Sequence, residues 1–216
     1  QQILKKPWCW GPTGQRNYTV FTSMNVKNKH IYFASDVHLG APSPEKSLKR
    51  EEIFVKWLGS ISEKASDIYL MGDVFDFWFE YKKVVPKGYI RLLGKLAELR
   101  NQGVEIHIFA GNHDLWIRDY FEKELGAKIY HRPIIRDFNG KTFYLAHGDG
   151  LGPGDLGYKF IKKVFKSRIN QWLFKWIHPD LGIGLANFFS SKSRAQNNKR
   201  TEKFLGEEEW LIIHSR

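Results

Sequence analysis

"VEIHIFAGNHD", residues 104–114, runs an apolar stretch that reads as a strand straight into Gly-Asn-His-Asp. Gly111 permits a sharp turn that other residues resist. Asn112, His113 and Asp114 then set an amide oxygen, an imidazole and a carboxylate at one loop tip. A polar turn would account for them taken alone, because Asn and Asp are ordinary turn residues. What surrounds the stretch has to discriminate.

Upstream, "HIYFAS" (30–35) reads as a strand entering a loop at Asp36, and "DIYLMGD" (67–73) as another ending in Gly-Asp. Between them, Leu48, Ile53, Val55, Trp57, Leu58 and Ile61 recur at roughly helical spacing within 47–65. Ile90, Leu92, Leu93, Leu96 and Leu99 do the same within 89–102, and Gly103 stands where a helix C-cap is expected. Downstream, "IIRDFNGKTFYLAHGD" (134–149) reads as a hairpin about Asn139-Gly140. Strand and helix alternate, which predicts a parallel sheet with crossover helices. Ligands in such sheets bind beyond the carboxyl ends of the strands. Here four strand ends carry "SDVH", "GDVFD", "GNHD" and "HGD". Four such clusters at equivalent topological positions point to one shared site.

Asp, His and Asn without Cys form a donor set that suits Mn²⁺, Zn²⁺ or Fe²⁺. Two cations roughly 3.5–4 Å apart can activate water and stabilise both oxygens in a phosphoryl displacement. Asp73 is the natural bridging carboxylate. Asp36 and His38, two residues apart, reach one metal only if the backbone turns between them. Asn112 and His147 are available to the other.

The chain has 216 residues, 42% hydrophobic and 15% aromatic, which excludes a disordered chain. Its net charge of +11 predicts an anionic partner. Cys9 is the single cysteine, so no internal disulfide and no cysteine-based zinc site can form, and a cytosolic location fits. No run is long and apolar enough for a membrane span. Residues 1–23 mix Trp, Pro and Gly without period and hold no signal-peptide pattern; a disordered or non-native extension is expected there.

From Leu151 the texture changes. Residues 151–205 read as helices rich in Phe and Trp, with eleven basic residues against three acidic ones. A basic, aromatic insert beside a metal site predicts a cap for an anionic, partly apolar ligand. A subdomain using its aromatics as its own core is the competing account, with Trp172 and Phe174 open to either.

The ordered series "DVH" (36–38), "GDVFD" (72–76), "GNHD" (111–114) and "HGD" (147–149) resembles the motif series of the calcineurin-like metallophosphoesterases over residues 31–150. The resemblance implies an α/β fold, a metallophosphoesterase sandwich with helices flanking a two-layer β core. It implies a core at 24–150, a helical cap insert at 151–205 and the start of a further core segment at 206–216. It implies two divalent metals, with Asp36 and His38 on one, Asn112 and His147 on the other, and Asp73 between them. His113 would stand beside the scissile phosphate as a catalytic group. "GDVFDFWFEY" (72–81) and "GDLGYKFIKK" (154–163) are similar to the family branch that hydrolyses an acylated sugar nucleotide, UDP-2,3-diacylglucosamine, in lipid A biosynthesis. That branch implies manganese, substrate contacts from Asp155, Ser193, Arg194 and Arg200, and a cytoplasmic enzyme held peripherally on an anionic membrane surface. No protein partner is indicated. The family's closing Gly-His-x-His is absent, and the chain ends at "LIIHSR"; a truncated chain with weakened metal affinity is the expectation. A phosphodiesterase or nuclease of other specificity is the alternative, and an inactive scaffold a third. Concentration of the charge in an aromatic insert favours an amphiphile over nucleic acid. His30, His107, His131 and His178 receive structural readings.

Overall fold

The computed structural model describes residues 29–148, 164–165, 167–185 and 188. The expectations for 1–23, for Asp149, for 206–216 and for Asp155, Ser193, Arg194 and Arg200 lie outside the described residues.

Four strands, β1 (His30–Ala34), β2 (Ala65–Leu70), β3 (Glu105–Phe109) and β4 (Lys128–Tyr130), form an all-parallel sheet in the order β1-β2-β3-β4. α1 (Pro44–Ile61), α2 (Ile90–Asn101) and α3 (Tyr120–Leu125) make the crossovers. Each strand is added on the same side of the last. Right-handed crossovers then place all three helices on one face of the sheet. Strand residues alternate accordingly. Ile68, Leu70, Ile106 and Ile108 join Leu58, Leu92, Leu96 and Phe121 in the helix-side core. Tyr69 and Phe109 face the other way, where Leu145, Ile134 and Phe138 of the hairpin β5 (Ile134–Phe138) and β6 (Lys141–Leu145) cover them. The sandwich is therefore two β layers with helices on the outer side of one. Ile135 and Tyr144 on the hairpin are exposed.

Local chemistry explains the boundaries. Ser43 caps α1, its hydroxyl accepting from the Lys46 amide at 3.4 Å, with Pro44 next to it where a missing N–H costs nothing. Gly103, at φ 87°, follows the end of α2 as the sequence predicts. Asn139 and Gly140, at φ 53° and 75°, make the left-handed hairpin turn. The element pair α3–β4 is not anticipated by periodicity. It is six residues plus three, too short to show a period, and only Phe121 of α3 is buried.

The inward face of α1 also departs from the apolar pattern. Leu48 and Ile53 lie outward, whereas Ser47 and Glu51 are buried. The first half of α1 faces loop backbone rather than sheet, so its inward groups are polar. Ser47 accepts from the Gly40 amide at 2.7 Å, and Glu51 accepts from the Leu92 amide at 3.0 Å, capping α2 from a neighbouring helix.

His107 has the structural role expected of it. Its ring stacks on Tyr69 at 4.0 Å and bridges Asp67 Oδ1 (3.0 Å) to the Tyr130 hydroxyl (3.1 Å). Burial lowers its pKa against the opposing pull of Asp67. A group with a depressed folded pKa contributes stability that is present above its unfolded value and lost as pH falls through the folded one. The urea midpoint of the wild type should therefore drop more between about pH 8 and about pH 5.5 than that of His107→Phe, which keeps the stack. Equal drops would remove His107 as the titrating group.

Candidate metal centre

The strand ends bring the motif residues together. β1 and β2 go on pairing past their ends, with Asp36 N–H donating to Gly72 O (3.2 Å) and His38 N–H to Asp73 O (2.9 Å). Asp36, His38 and Asp73 all adopt left-handed backbone, φ 56°, 47° and 52°. Each such non-glycine residue costs on the order of 1–3 kcal/mol and persists only where surrounding structure imposes it. The turn required for Asp36 and His38 to aim at one point is thus present. Their ligand atoms and that of Asp73 lie within 4.8 Å of one another.

Asp73 stands at the middle. Its Oδ2 is 3.8 Å from His38 Nε2 on one side and 3.4 Å from His147 Nε2 on the other. Burial pushes its carboxyl up. The hydrogen bonds from His147 and from the His113 amide (2.9 Å), with the charge of both imidazoles, outweigh that and hold it below the usual carboxylate range. His147 Nδ1 lies 2.9 Å from Met71 O. A carbonyl only accepts, so Nδ1 carries the hydrogen. Nε2, 3.2 Å from Asn112 Oδ1 and close to Asp73 Oδ2, donates to Asp73 when the ring is protonated; in the neutral ring it is a lone pair. Three acceptors converge, an arrangement that needs a cation or a proton among them. His38, Asp36 and Asp73 make a second such group. The donor set fits two hard-to-borderline divalent cations sharing Asp73.

The glycines of the motifs are required by contact. A Cβ on Gly111 would collide with Asp73 Oδ1, and one on Gly72, at φ 105°, would lie 2.6 Å from His147 Nδ1. This answers why the stretch at 104–114 turns on glycine: the "GNHD" backbone packs directly on the central carboxylate.

Two residues inside the quoted motifs carry more than the sequence reading gave them. Asp76, buried, places Oδ1 3.7 Å from His38 Nδ1 and 3.5 Å from His113 Nδ1. It turns both rings, whose centroids are 4.8 Å apart, so that their Nε2 edges face away from it. The Asp76 carboxylate raises the pKa of His38; burial opposes this, and the charges of Asp73, Asp76 and Asp36 add to it. Asp114, fully buried, accepts from the amides of Gly111 (2.8 Å) and Val74 (2.8 Å), and at 3.3 Å from those of Asp73 and Phe75. It ties two motif loops into one body. Burial and the Asp73 charge push its carboxyl up to about 6, against those amide bonds. The sequence signal for both was their place as the last letter of "GDVFD" and "GNHD".

α4 (Arg168–Phe174) lays Phe174 against Phe79 (4.7 Å) and Trp116 (4.8 Å), while Trp116 Nε1–H donates to Phe165 O (2.7 Å). Phe174 therefore belongs to a core shared with residues 77–81 and Trp116, not to a core of the 151–205 segment alone. Trp172 does not: it is 57% exposed and lines, with Arg118, Gln171 and Lys175, an open hollow of about 460 Å³.

The chain belongs to the calcineurin-like phosphoesterase family, which it matches over residues 29–210. Members of that family are hydrolases that use divalent metals. Among named relatives, a UDP-2,3-diacylglucosamine hydrolase of Porphyromonas gingivalis is 43% identical over 196 residues, spanning 84% of this chain and 74% of that protein. Proteins of the same name from two Haemophilus influenzae strains are 27% and 29% identical, spanning 82% and 79% of this chain and 73% and 68% of theirs.

Proposed function

We propose that the chain hydrolyses the pyrophosphate bond of UDP-2,3-diacylglucosamine, giving UMP and 2,3-diacylglucosamine 1-phosphate, at the centre formed by Asp36, His38, Asp73, Asn112 and His147. The observation that carries the hydrolytic part is the convergence of acceptors on both sides of Asp73. Likeness to the Porphyromonas gingivalis hydrolase supports the substrate.

Asp36 and His38 would hold one cation, Asn112 and His147 the other, and Asp73 both. The cysteine-free set of oxygens and imidazoles suits Mn²⁺, Zn²⁺ or Fe²⁺, and by resemblance to the acylated-sugar-nucleotide branch we take manganese as the ion. When bound, the pair lowers the pKa of the attacking water and supplies Lewis-acid charge at the phosphate oxygens. His113 turns Nδ1 to Asp76, its ring nitrogen 3.1 Å from Asp76 O, which leaves the Nε2 edge to work on the phosphate. As water oxygen bonds to phosphorus and loses its proton to solvent, the bridging P–O bond breaks, and the imidazolium form of His113, its Nδ1–H held by Asp76 O, would pass its Nε2 proton to the departing oxygen. A positioned acid of this kind contributes about 10²–10⁴-fold. His113→Ala should lower turnover by that factor while elemental analysis finds the metal content nearly unchanged. Loss of metal would reassign His113 as a ligand, and an unchanged rate would make it a turn residue.

The same reading sets the enzyme on the cytoplasmic face of an anionic membrane. Ile169, Trp172, Trp176, Leu181 and Phe188 are exposed, as is Lys175, apolar and basic side chains suited to acyl chains and lipid phosphates. No described helix is long and apolar enough to cross a membrane. Asp155, Ser193, Arg194 and Arg200 keep their expected role in substrate contact. Release of UMP from the acylated sugar nucleotide with Mn²⁺ present tests the proposal. Hydrolysis of other phosphodiesters without any UMP release from this substrate would move the chain to another specificity.

A further inference from the structure

The left-handed turn at 36–38 does not hold itself. Its amides are satisfied from one side by the continuation of β2, at Gly72 O, Asp73 O and Val74 O. The carbonyls of Val37 and His38 look the other way, toward α1, with His38 O also reached by the Ala41 amide at 3.4 Å. There a single guanidinium nitrogen of Arg50 lies 2.8 Å from His38 O, 3.0 Å from Val37 O and 3.3 Å from Ala41 O. Two protons serve three acceptors, with Ala41 taking the longest share. One turn earlier on the same helix, Ser47 accepts from the Gly40 amide at 2.7 Å. The segment 36–41 is thus clamped between a strand edge and a helix, and the helix side of the clamp is Arg50 with Ser47.

We propose that Arg50 is a positioning residue of the metal centre: its guanidinium fixes the left-handed turn in which Asp36 and His38 meet at one cation. The inference rests on the assignment of those two residues as metal ligands. Arginine suits the task because its charge is permanent and its planar N–H groups can bind several carbonyls at fixed angles, which a lysine ammonium on a flexible stem does not do. Arg50 touches no ligand atom of the site; its grip acts through the backbone of Val37 and His38.

Charge and grip make opposite predictions. A fixed positive charge behind the centre repels an incoming cation, so removing it for charge reasons alone would tighten metal binding. Removing the grip frees the turn to leave its strained conformation, which weakens binding. Outer-shell partners of metal ligands typically contribute about 10–100-fold to affinity.

The experiment is calorimetric titration of the metal-free chain with Mn²⁺ alone, with the melting temperature of each metal-free variant recorded beside it. Arg50→Met and Arg50→Lys should each weaken Mn²⁺ binding about 10–100-fold. Ser47→Ala should weaken it less. An Arg50→Met variant that binds Mn²⁺ as tightly as the wild type, or more tightly, overturns the inference, as does full rescue by Arg50→Lys. A lowered melting temperature with unchanged affinity also overturns it, since a merely structural tether would do that. Should Arg50→Met not fold, Arg50→Lys and Ser47→Ala decide the matter by the same titration. Asp73→Asn is the control: if it binds Mn²⁺ normally, the metal-ligand assignment itself fails. If it does not while the Arg50 variants do, only the role of Arg50 fails.

Discussion

Asp73→Asn should bring metal-dependent hydrolysis to background and remove bound metal, without unfolding the protein. Asparagine is the informative replacement, because Asp73 sits at φ 52°, where Asn is tolerated and alanine is strained. Its amide oxygen can still accept from His113 N–H, which bonds Asp73 Oδ1 at 2.9 Å. What it lacks is the second anionic oxygen, the one that lies between His38 and His147. Loss of one preorganised electrostatic stabiliser costs about 10²–10³-fold in kcat. Asp73 serves two cation positions, so a fall at or beyond that upper limit is expected. The melting temperature of the metal-free variant should hold or rise, since Asp73 is the charge that, with burial, disfavours ionised Asp114. UMP release, elemental analysis and a thermal melt read the three effects. Retention of two metals with ordinary turnover would defeat the bridging role.

The second large effect concerns the substrate. UDP-2,3-diacylglucosamine should be hydrolysed about 10²-fold or more better in kcat/KM than the deacylated sugar nucleotide. Burying one methylene is worth about 0.8 kcal/mol, so four methylenes suffice for about 3 kcal/mol, or about 10²-fold. Trp172→Ala and Phe188→Ala should cost more on the acylated substrate than on the short one, because both rings are exposed. Phe174→Ala is the contrast. Its ring already packs on Phe79 and Trp116, so its loss should loosen the seat of α4 and lower the melting temperature whichever substrate is used. Equal rates on acylated and deacylated substrates would remove the lipid from the proposal. Preferred cleavage of DNA or RNA, weakening steeply with salt through counterion release, would replace it with a nuclease.

The sequence by itself determined β1, α1, β2, α2 and β3 in that order, the hairpin at Asn139-Gly140, and the polar ends of three parallel strands and of the hairpin's second strand. These are legible because each follows from a local rule: apolar periodicity, a turn dipeptide, or the habit of parallel sheets to bind ligands at carboxyl ends. Only the tertiary structure decided the rest. It set the left-handed turns at Asp36, His38 and Asp73, which no local preference selects and which bonds from two neighbouring elements impose. It put Asp76 between two imidazoles and Asp114 beneath two loops, across 37 to 41 residues of chain. It also turned Ser47, Arg50 and Glu51 inward and Leu48 outward on α1. An apolar-stripe argument assumes that a helix packs on side chains. The first half of this helix packs on backbone, where the favourable partners are polar, and that environment exists only once β1, β2 and α2 have been brought against it.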